Sequence, residues 1–189
     1  MIIRFLQDNL LVISILLINL FVSLFYCIII NNEKMKNGFN KMNIILQKLF
    51  VLLFVGPLFV SPFLPQPRIN YSHWSIVLLS ILITMIGALM IIFSLLKIGI
   101  IPSIKTKSGL LTSGTYKIVR HPIYSGTIIT FIGLIILMKS YLSLVYFPLS
   151  VLLYYVMTIF EEKDLIKMYG EDYKSYRKVV KKRIIPFIL

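Results

Sequence analysis

The sequence predicts an all-α integral membrane protein of about five transmembrane helices, with a C-terminal helical hairpin and a cytoplasmic helical tail. Its composition, its long uncharged segments and the distribution of its basic residues predict this fold. Of 189 residues, 58% are hydrophobic and 14% are charged, whereas a soluble domain has about 45–50% and about 25%. Mean hydropathy is +0.90. A chain of this length cannot bury so much apolar surface in one globule, and a disordered chain is equally excluded.

Five uncharged segments approach the roughly 20 residues that a helix needs to cross about 30 Å of hydrocarbon. In chain order they are residues 9–30, 49–64, 74–96, 122–138 and 142–160. The first is too long for the apolar core of a signal peptide, so we expect a retained span. The second extends backward through residues 44–46. Only Lys139, Ser140 and Tyr141 separate the fourth segment from the fifth, and we therefore expect these two to form a hairpin.

The basic residues indicate how the spans are oriented. Seventeen of the 20 Lys and Arg residues fall in residues 31–48, residues 97–121 and the tail after Phe160. The other three are Arg4, Arg68 and Lys139. Since basic residues collect on the cytoplasmic side, we expect a plasma-membrane protein with its N-terminus outside and its C-terminus in the cytoplasm. Orientation and contact with membrane lipids explain the net charge of +13, and no nucleic-acid partner is expected.

Two polar regions are predicted on the cytoplasmic face. Residues 108–126 lead into the fourth span and contain Arg120 and His121, while residues 161–177 leave the fifth span and contain five of the seven acidic residues. The hairpin makes the two spans neighbours. Both regions are therefore expected to meet at the membrane boundary.

The start of the fourth span has features of an anion-binding site. Pro122 suits the first turn of a helix, which makes His121 the N-cap. Free backbone N–H groups and the helix dipole favour an anionic group such as a carboxylate there. Tyr124 lies on the same helical face as His121. The alternative is that Arg120 and His121 only contact lipid headgroups.

Two adjacent carboxylates end the fifth span. A carboxylate at the edge of hydrocarbon is costly unless it is paired or liganded, so we expect Glu161 to face the fourth helix. We expect Glu162 to be a solvated helix-end residue beside Lys163 and Lys167. Gly170 is expected to end the helix.

Other chemistries lack the residues they need. One cysteine, Cys27, excludes a disulfide framework. The two histidines, His73 and His121, are predicted on opposite faces, so no metal is expected. There is no glycine-rich nucleotide loop followed by Lys and Ser or Thr.

The order of four short motifs around the hairpin is specific. They are Leu110-Leu111-Thr112-Ser113-Gly114-x-Tyr116, Val119-Arg120-His121-Pro122-x-Tyr124-x-Gly126, Glu161-Glu162 and Gly170-Glu171-x-Tyr173-x-x-Tyr176. Here the chain resembles the isoprenylcysteine carboxyl methyltransferase and phospholipid methyltransferase family of integral membrane enzymes. We therefore divide it into three N-terminal spans, residues 1–98, and a methyltransferase-like catalytic region, residues 99–189.

The resemblance implies S-adenosylmethionine (SAM) as methyl donor, bound in a cytoplasmic pocket between the last two spans and the tail. It places the cofactor contacts on Ser108, Gly109, Leu110, Leu111, Tyr116, His121, Pro122, Ile123, Tyr124 and Glu161. Arg120, His121 and Glu161 are the candidate catalytic residues. We expect Glu161 to pair with the ammonium of SAM and His121, with the helix N-terminus, to hold its carboxylate.

The methyl acceptor is open at this stage. The isoprenylcysteine enzymes resemble one another in an Arg one turn before the cofactor Glu, and this chain has Met157 there. A lipophilic or small acceptor with an amine, thiol or carboxylate fits the residues equally well. Two other functions remain as alternatives: an NADPH-dependent sterol-type reductase, and a non-enzymatic membrane protein whose basic tail binds lipid or a partner.

Overall fold

The computed structural model describes residues 2–98 and 109–184, and these residues fold into α-helices joined by short loops. The helices are α1 (Ile2–Asp8), α2 (Leu10–Asn31), α3 (Glu33–Lys41), α4 (Ile44–Val60), α5 (Trp74–Ile98), α6 (Pro122–Met138) and α7 (Tyr141–Val179). Short 3₁₀ turns follow α4 at Ser61–Phe63 and precede α6 at Gly114–Lys117.

The apolar helices are long enough to explain the predicted spans. Within the described residues, four helical segments can cross a bilayer by length and composition. They are Leu10–Asn31, Ile44–Phe63, Trp74–Lys97 and Tyr141–Val179, and Pro122–Met138 is a shorter apolar helix of 17 residues. In hydrocarbon a helix is favoured because it satisfies its own backbone hydrogen bonds. The predicted all-α membrane fold is therefore confirmed.

Helix α6 lies against α5 because glycines allow their backbones to approach. A Cβ atom on Gly87 would lie 2.5 Å from the backbone nitrogen of Thr130, and one on Gly133 would lie 2.7 Å from that of Thr84. A Cβ on Gly126 would lie 2.8 Å from the carbonyl oxygen of Gly87. Such approach through small residues is the usual way that helices associate in a bilayer. It fixes the position of the helix that carries His121.

The loop between α4 and α5 is fastened to the turn between α6 and α7. The Arg68 guanidinium donates to the carbonyl oxygens of Pro62 and Met138, each at 2.7 Å. The side-chain oxygen of Gln66 accepts from two backbone amides in the first turn of α7, at 3.0 and 3.2 Å. Lys139 adopts the left-handed conformation between the two helices. Hydrogen bonds, in addition to side-chain burial, therefore hold the α4–α5 loop against the α6–α7 turn.

At the opposite end, α7 continues well past its apolar part and contacts α3. Lys36 Nζ of α3 lies 2.8 Å from Asp164 Oδ2, and Lys167 Nζ lies 3.0 Å from Glu33 Oε1. Gly170, with φ +53°, interrupts the helical conformation, and helix then resumes as far as Val179. Gly170 thus forms a kink rather than the predicted helix end.

Candidate active site

His121 begins the site at the start of α6. It is the N-cap residue and Pro122 is the first helical residue, as expected from the Arg-His-Pro order. The His121 and Tyr124 rings are stacked, with centroids 5.9 Å apart and planes 13° apart. One helical turn therefore presents an imidazole and a phenol on one face.

Glu161 links α7 to α2 and α6. Its Oε1 accepts hydrogen bonds from the Tyr124 hydroxyl at 2.5 Å and the Tyr26 hydroxyl at 3.1 Å. Its Oε2 lies 3.4 Å from His121 Nδ1. Tyr26, on α2, was not predicted as a site residue, although a Tyr near the C-terminal end of an apolar span is a signal that could have identified it. The carboxylate is thus held by two hydroxyl groups and one imidazole.

Glu162 is buried, so the expectation that it is a solvated helix-end residue is wrong. Its side chain is only 3% exposed and lies 2.8 Å from Arg120 Nε, 3.0 Å from Arg183 Nη2 and 3.4 Å from His121 Nε2. Positive charges at these distances offset the cost of taking a carboxylate out of water. Lys167, one of its expected partners, instead pairs with Glu33.

The imidazole of His121 lies between the two carboxylates. Burial disfavours its charged form, and hydrogen bonding and charge interactions with Glu161 and Glu162 outweigh burial, so that the pKa of His121 is raised. The two carboxylates therefore favour the protonated imidazole, which burial alone would disfavour.

Arg120 holds the C-terminal tail across the start of α6. Its Nη1 donates to the carbonyl oxygens of Val180 at 2.8 Å and Lys181 at 2.7 Å. The backbone amide of His121 also donates to the carbonyl oxygen of Arg183, at 2.9 Å. These contacts place the tail beside the residues that were predicted to bind the cofactor.

A cavity of about 190 Å³ opens at this end of the helices. Nine of the ten predicted cofactor contacts line it: Gly109, Leu110, Leu111, Tyr116, His121, Pro122, Ile123, Tyr124 and Glu161. The tenth, Ser108, lies outside the described residues. Arg120 also lines the cavity. Six lining residues were not predicted as contacts: Tyr26, Asp164, Leu165, Tyr169, Tyr173 and Tyr176.

The cavity lining combines charged and aromatic side chains. The charged or ionisable ones are Arg120, His121, Glu161 and Asp164. Among the aromatic ones, the Tyr173 and Tyr176 rings lie 5.8 Å apart, and the Tyr176 hydroxyl donates to a backbone carbonyl at 2.7 Å. Such a cavity suits a molecule that combines charged groups with a flat ring. Among residues 2–98 and 109–184, no three His, Cys, Asp or Glu side chains are grouped as metal ligands.

Met157 lies one turn before Glu161 and faces the protein core. It is fully buried and packs in the hydrophobic cluster that includes Phe54 and Tyr154. The position that holds Arg in the isoprenylcysteine enzymes is therefore apolar here in its surroundings as well as in its residue type.

Comparison with known proteins identifies the family. The model of the phospholipid methyltransferase family matches residues 74–172. A methanethiol S-methyltransferase of Crocosphaera subtropica is 36% identical over 77 residues, which are 41% of this chain and 29% of the relative. A methanethiol S-methyltransferase of Pseudomonas deceptionensis is 39% identical over 66 residues, 34% of this chain and 24% of the relative.

A protein-S-isoprenylcysteine O-methyltransferase of Schizosaccharomyces pombe is 36% identical over 83 residues, 43% of this chain and 35% of the relative. The chain thus matches about a quarter to a third of the length of these relatives. No solved structure matches it. Since the matched residues 74–172 make up just over half of the chain, this protein belongs to the phospholipid methyltransferase family, as the resemblance predicted.

Proposed function

We propose that this protein is an integral membrane methyltransferase that uses SAM to methylate a lipophilic or small acceptor. One observation carries the proposal: nine of the ten cofactor contacts expected from the resemblance line a single cavity, although they come from separate parts of the chain. Residues 109–111, the start of α6 and Glu161 are brought together there. Family membership supports the same activity.

The residues around the cavity fit the chemical groups of SAM. Glu161 offers a carboxylate to the ammonium, while His121 and the free amides in the first turn of α6 suit the carboxylate. Tyr116 and Tyr176 also line the cavity, and aromatic rings suit contact with an adenine or a cationic sulfonium. The His121 ring is oriented by Glu161 at Nδ1 and by Glu162 at Nε2, each at 3.4 Å.

Positioning is the main work that we assign to the protein. When bound, SAM supplies a methyl group already activated by its sulfonium, so alignment and exclusion of water matter more than acid–base chemistry. Tyr26 and Tyr124 hold Glu161 in one orientation through its Oε1. Arg120 fixes the tail that borders the cavity, so we assign it a positioning role.

We also propose that the cavity faces the cytoplasm, that the N-terminus lies outside, and that the protein resides in the plasma membrane. The support is the excess of basic residues in the segments at the cavity's end of the molecule. We propose that the acceptor reaches Glu161 from the bilayer. The buried Met157 disfavours a carboxylate acceptor, because a thioether side chain supplies no positive charge to pair with it.

Binding of SAM to the purified protein in detergent tests the proposal. We expect Glu161→Gln and His121→Ala each to weaken binding about tenfold or more, since a hydrogen bond to a charged group contributes about 1.5–3 kcal/mol. His73→Ala is the matched control, because His73 is the other histidine and is exposed. Wild-type affinity in both site variants, with the fold retained, would show that the cavity is not the SAM site.

Incubation with methyl-labelled SAM and membrane extract, as a second part of this experiment, identifies the acceptor from the labelled product. Label that appears with wild type and not with Glu161→Gln supports the methyltransferase. Turnover that depends on NADPH, without methyl transfer, would favour the reductase alternative instead.

A further inference from the structure

We propose that Asp164 binds the ribose hydroxyls of the methyl donor. This inference rests on the proposed function and deepens it, since it assigns a further residue to the same cavity. Asp164 lies outside the motifs that carry the family resemblance. It lines the cavity and is only 7% exposed. A carboxylate is rarely buried to this extent without a specific partner.

The position of Asp164 along α7 is the first argument. Glu161, Leu165, Tyr169 and Tyr173 follow one another at four-residue spacing, Asp164 lies three residues after Glu161, and all five line the cavity. Up to the kink at Gly170, one helix face therefore presents a carboxylate, a second carboxylate about 4.5 Å further along the axis, and then the Tyr169 ring; Tyr173 follows beyond the kink. The ligand has the same order of groups: a charged amino-acid end, a ribose and an adenine. With Glu161 at the ammonium and the tyrosines at the adenine, the ribose falls beside Asp164.

The chemistry of the side chain is the second argument. Ribose hydroxyls are donors, and an ionised carboxylate is an acceptor with about four lone-pair sites. Nucleotide-binding folds commonly use Asp or Glu for this contact. The ion pair with Lys36 is made through Oδ2 at 2.8 Å. Asp164 therefore keeps acceptor capacity for the two hydroxyls of a ribose.

The ion pair explains how a second carboxylate is tolerated one turn from Glu161. Lys36 lies on α3, its side chain is only 13% exposed, and it compensates the charge of Asp164. A purely structural role would make Asp164 a link between α3 and α7 and nothing more. The two roles differ in what happens when Lys36 is removed and Asp164 is kept.

The experiment compares two ligands on the purified full chain. Calorimetry gives the dissociation constants for S-adenosylhomocysteine and for its 2′,3′-dideoxy analogue. We expect the wild type to bind S-adenosylhomocysteine, which has both ribose hydroxyls, at least tenfold more tightly than the dideoxy analogue. In Asp164→Ala we expect this difference in affinity to fall below threefold. Lys36→Met breaks the same ion pair but retains the acceptor, so its preference should stay within threefold of wild type. Glu171→Gln, an exposed carboxylate on the same helix, is the control.

Each result decides between the roles. Equal wild-type affinity for the two ligands overturns the inference, whether or not Asp164→Ala folds. An unchanged preference in folded Asp164→Ala also overturns it, as does a Lys36→Met variant that loses the preference to the same extent. If the wild type binds neither ligand, the proposed function itself fails and this inference fails with it.

Discussion

At the residue scale, two neighbouring carboxylates take different roles because their surroundings differ. Glu161 faces the cavity and is held by tyrosine hydroxyls and His121. Glu162 points about 100° away around the helix and is enclosed by Arg120 and Arg183. The first is available to a ligand, and the second holds the tail to the start of α6.

Replacing Glu162 by Gln should destabilise the protein strongly. Removing one partner from a buried ion pair costs about 3–5 kcal/mol, because it leaves the other charges uncompensated. The free energy of unfolding in detergent measures this loss. Glu171→Gln is the matched control: the Glu171 side chain is 82% exposed and pairs with Lys174, so a change below about 1 kcal/mol is expected. Similar values for the two variants would contradict the buried role of Glu162.

Local sequence motifs predicted some of these site residues and not others. The Arg-His-Pro-x-Tyr order and the pair of Glu residues after an apolar span led to His121 and Glu161. The burial of Glu162 depends on Arg183, 21 residues further along the chain, and on a tail path that no local pattern encodes. Tyr26 reaches Glu161 from a helix 135 residues away. Contacts of this kind follow only from how the helices are arranged.

At the element scale, small residues determine which helices pack together. Ser80, Gly87 and Ser94 on α5 recur every seven residues, and Gly126 and Gly133 on α6 have the same spacing. Both serines are fully buried, and the glycines mark the closest backbone approach. Hydrophobicity predicted where the spans lie. It could not predict their pairing, because each span is apolar on nearly all sides and lipid is as apolar as Leu.

Gly87→Ala should therefore weaken the fold and separate α5 from α6. The added Cβ would lie 2.5 Å from the Thr130 backbone nitrogen, and backbone atoms cannot move aside cheaply. Overpacking of this kind costs about 1–3 kcal/mol. Gly56→Ala on α4 is the control, since its Cβ would make an ordinary contact of 3.7 Å with Leu52. Thermal unfolding in detergent compares the two, and equal midpoints would show that the α5–α6 approach is looser than described.

At the scale of the whole molecule, the two ends of the helix bundle are built differently. One end carries the loop between α4 and α5, whose Arg68 side chain donates hydrogen bonds to backbone carbonyl oxygens of that loop and of the α6–α7 turn. The other end carries the cavity, α3 and the continuation of α7, where ion pairs join the N-terminal and C-terminal parts of the chain. The proposed methyl donor is made in the cytoplasm, so the orientation of the bundle decides whether the proposed chemistry is possible.

Thiol labelling of intact cells tests that orientation. With Cys27 replaced by Ser, His73→Cys places the sole thiol at the Arg68 end, and Lys174→Cys places it at the cavity end; both positions are exposed. We expect a membrane-impermeant charged reagent to label His73→Cys in intact cells, and Lys174→Cys only after permeabilisation, because positive residues are retained on the cytoplasmic side. Labelling in detergent controls for thiol reactivity. The reverse pattern would place the cavity outside the cell, where the proposed cofactor is not available. The excess of basic residues would then need an explanation other than orientation.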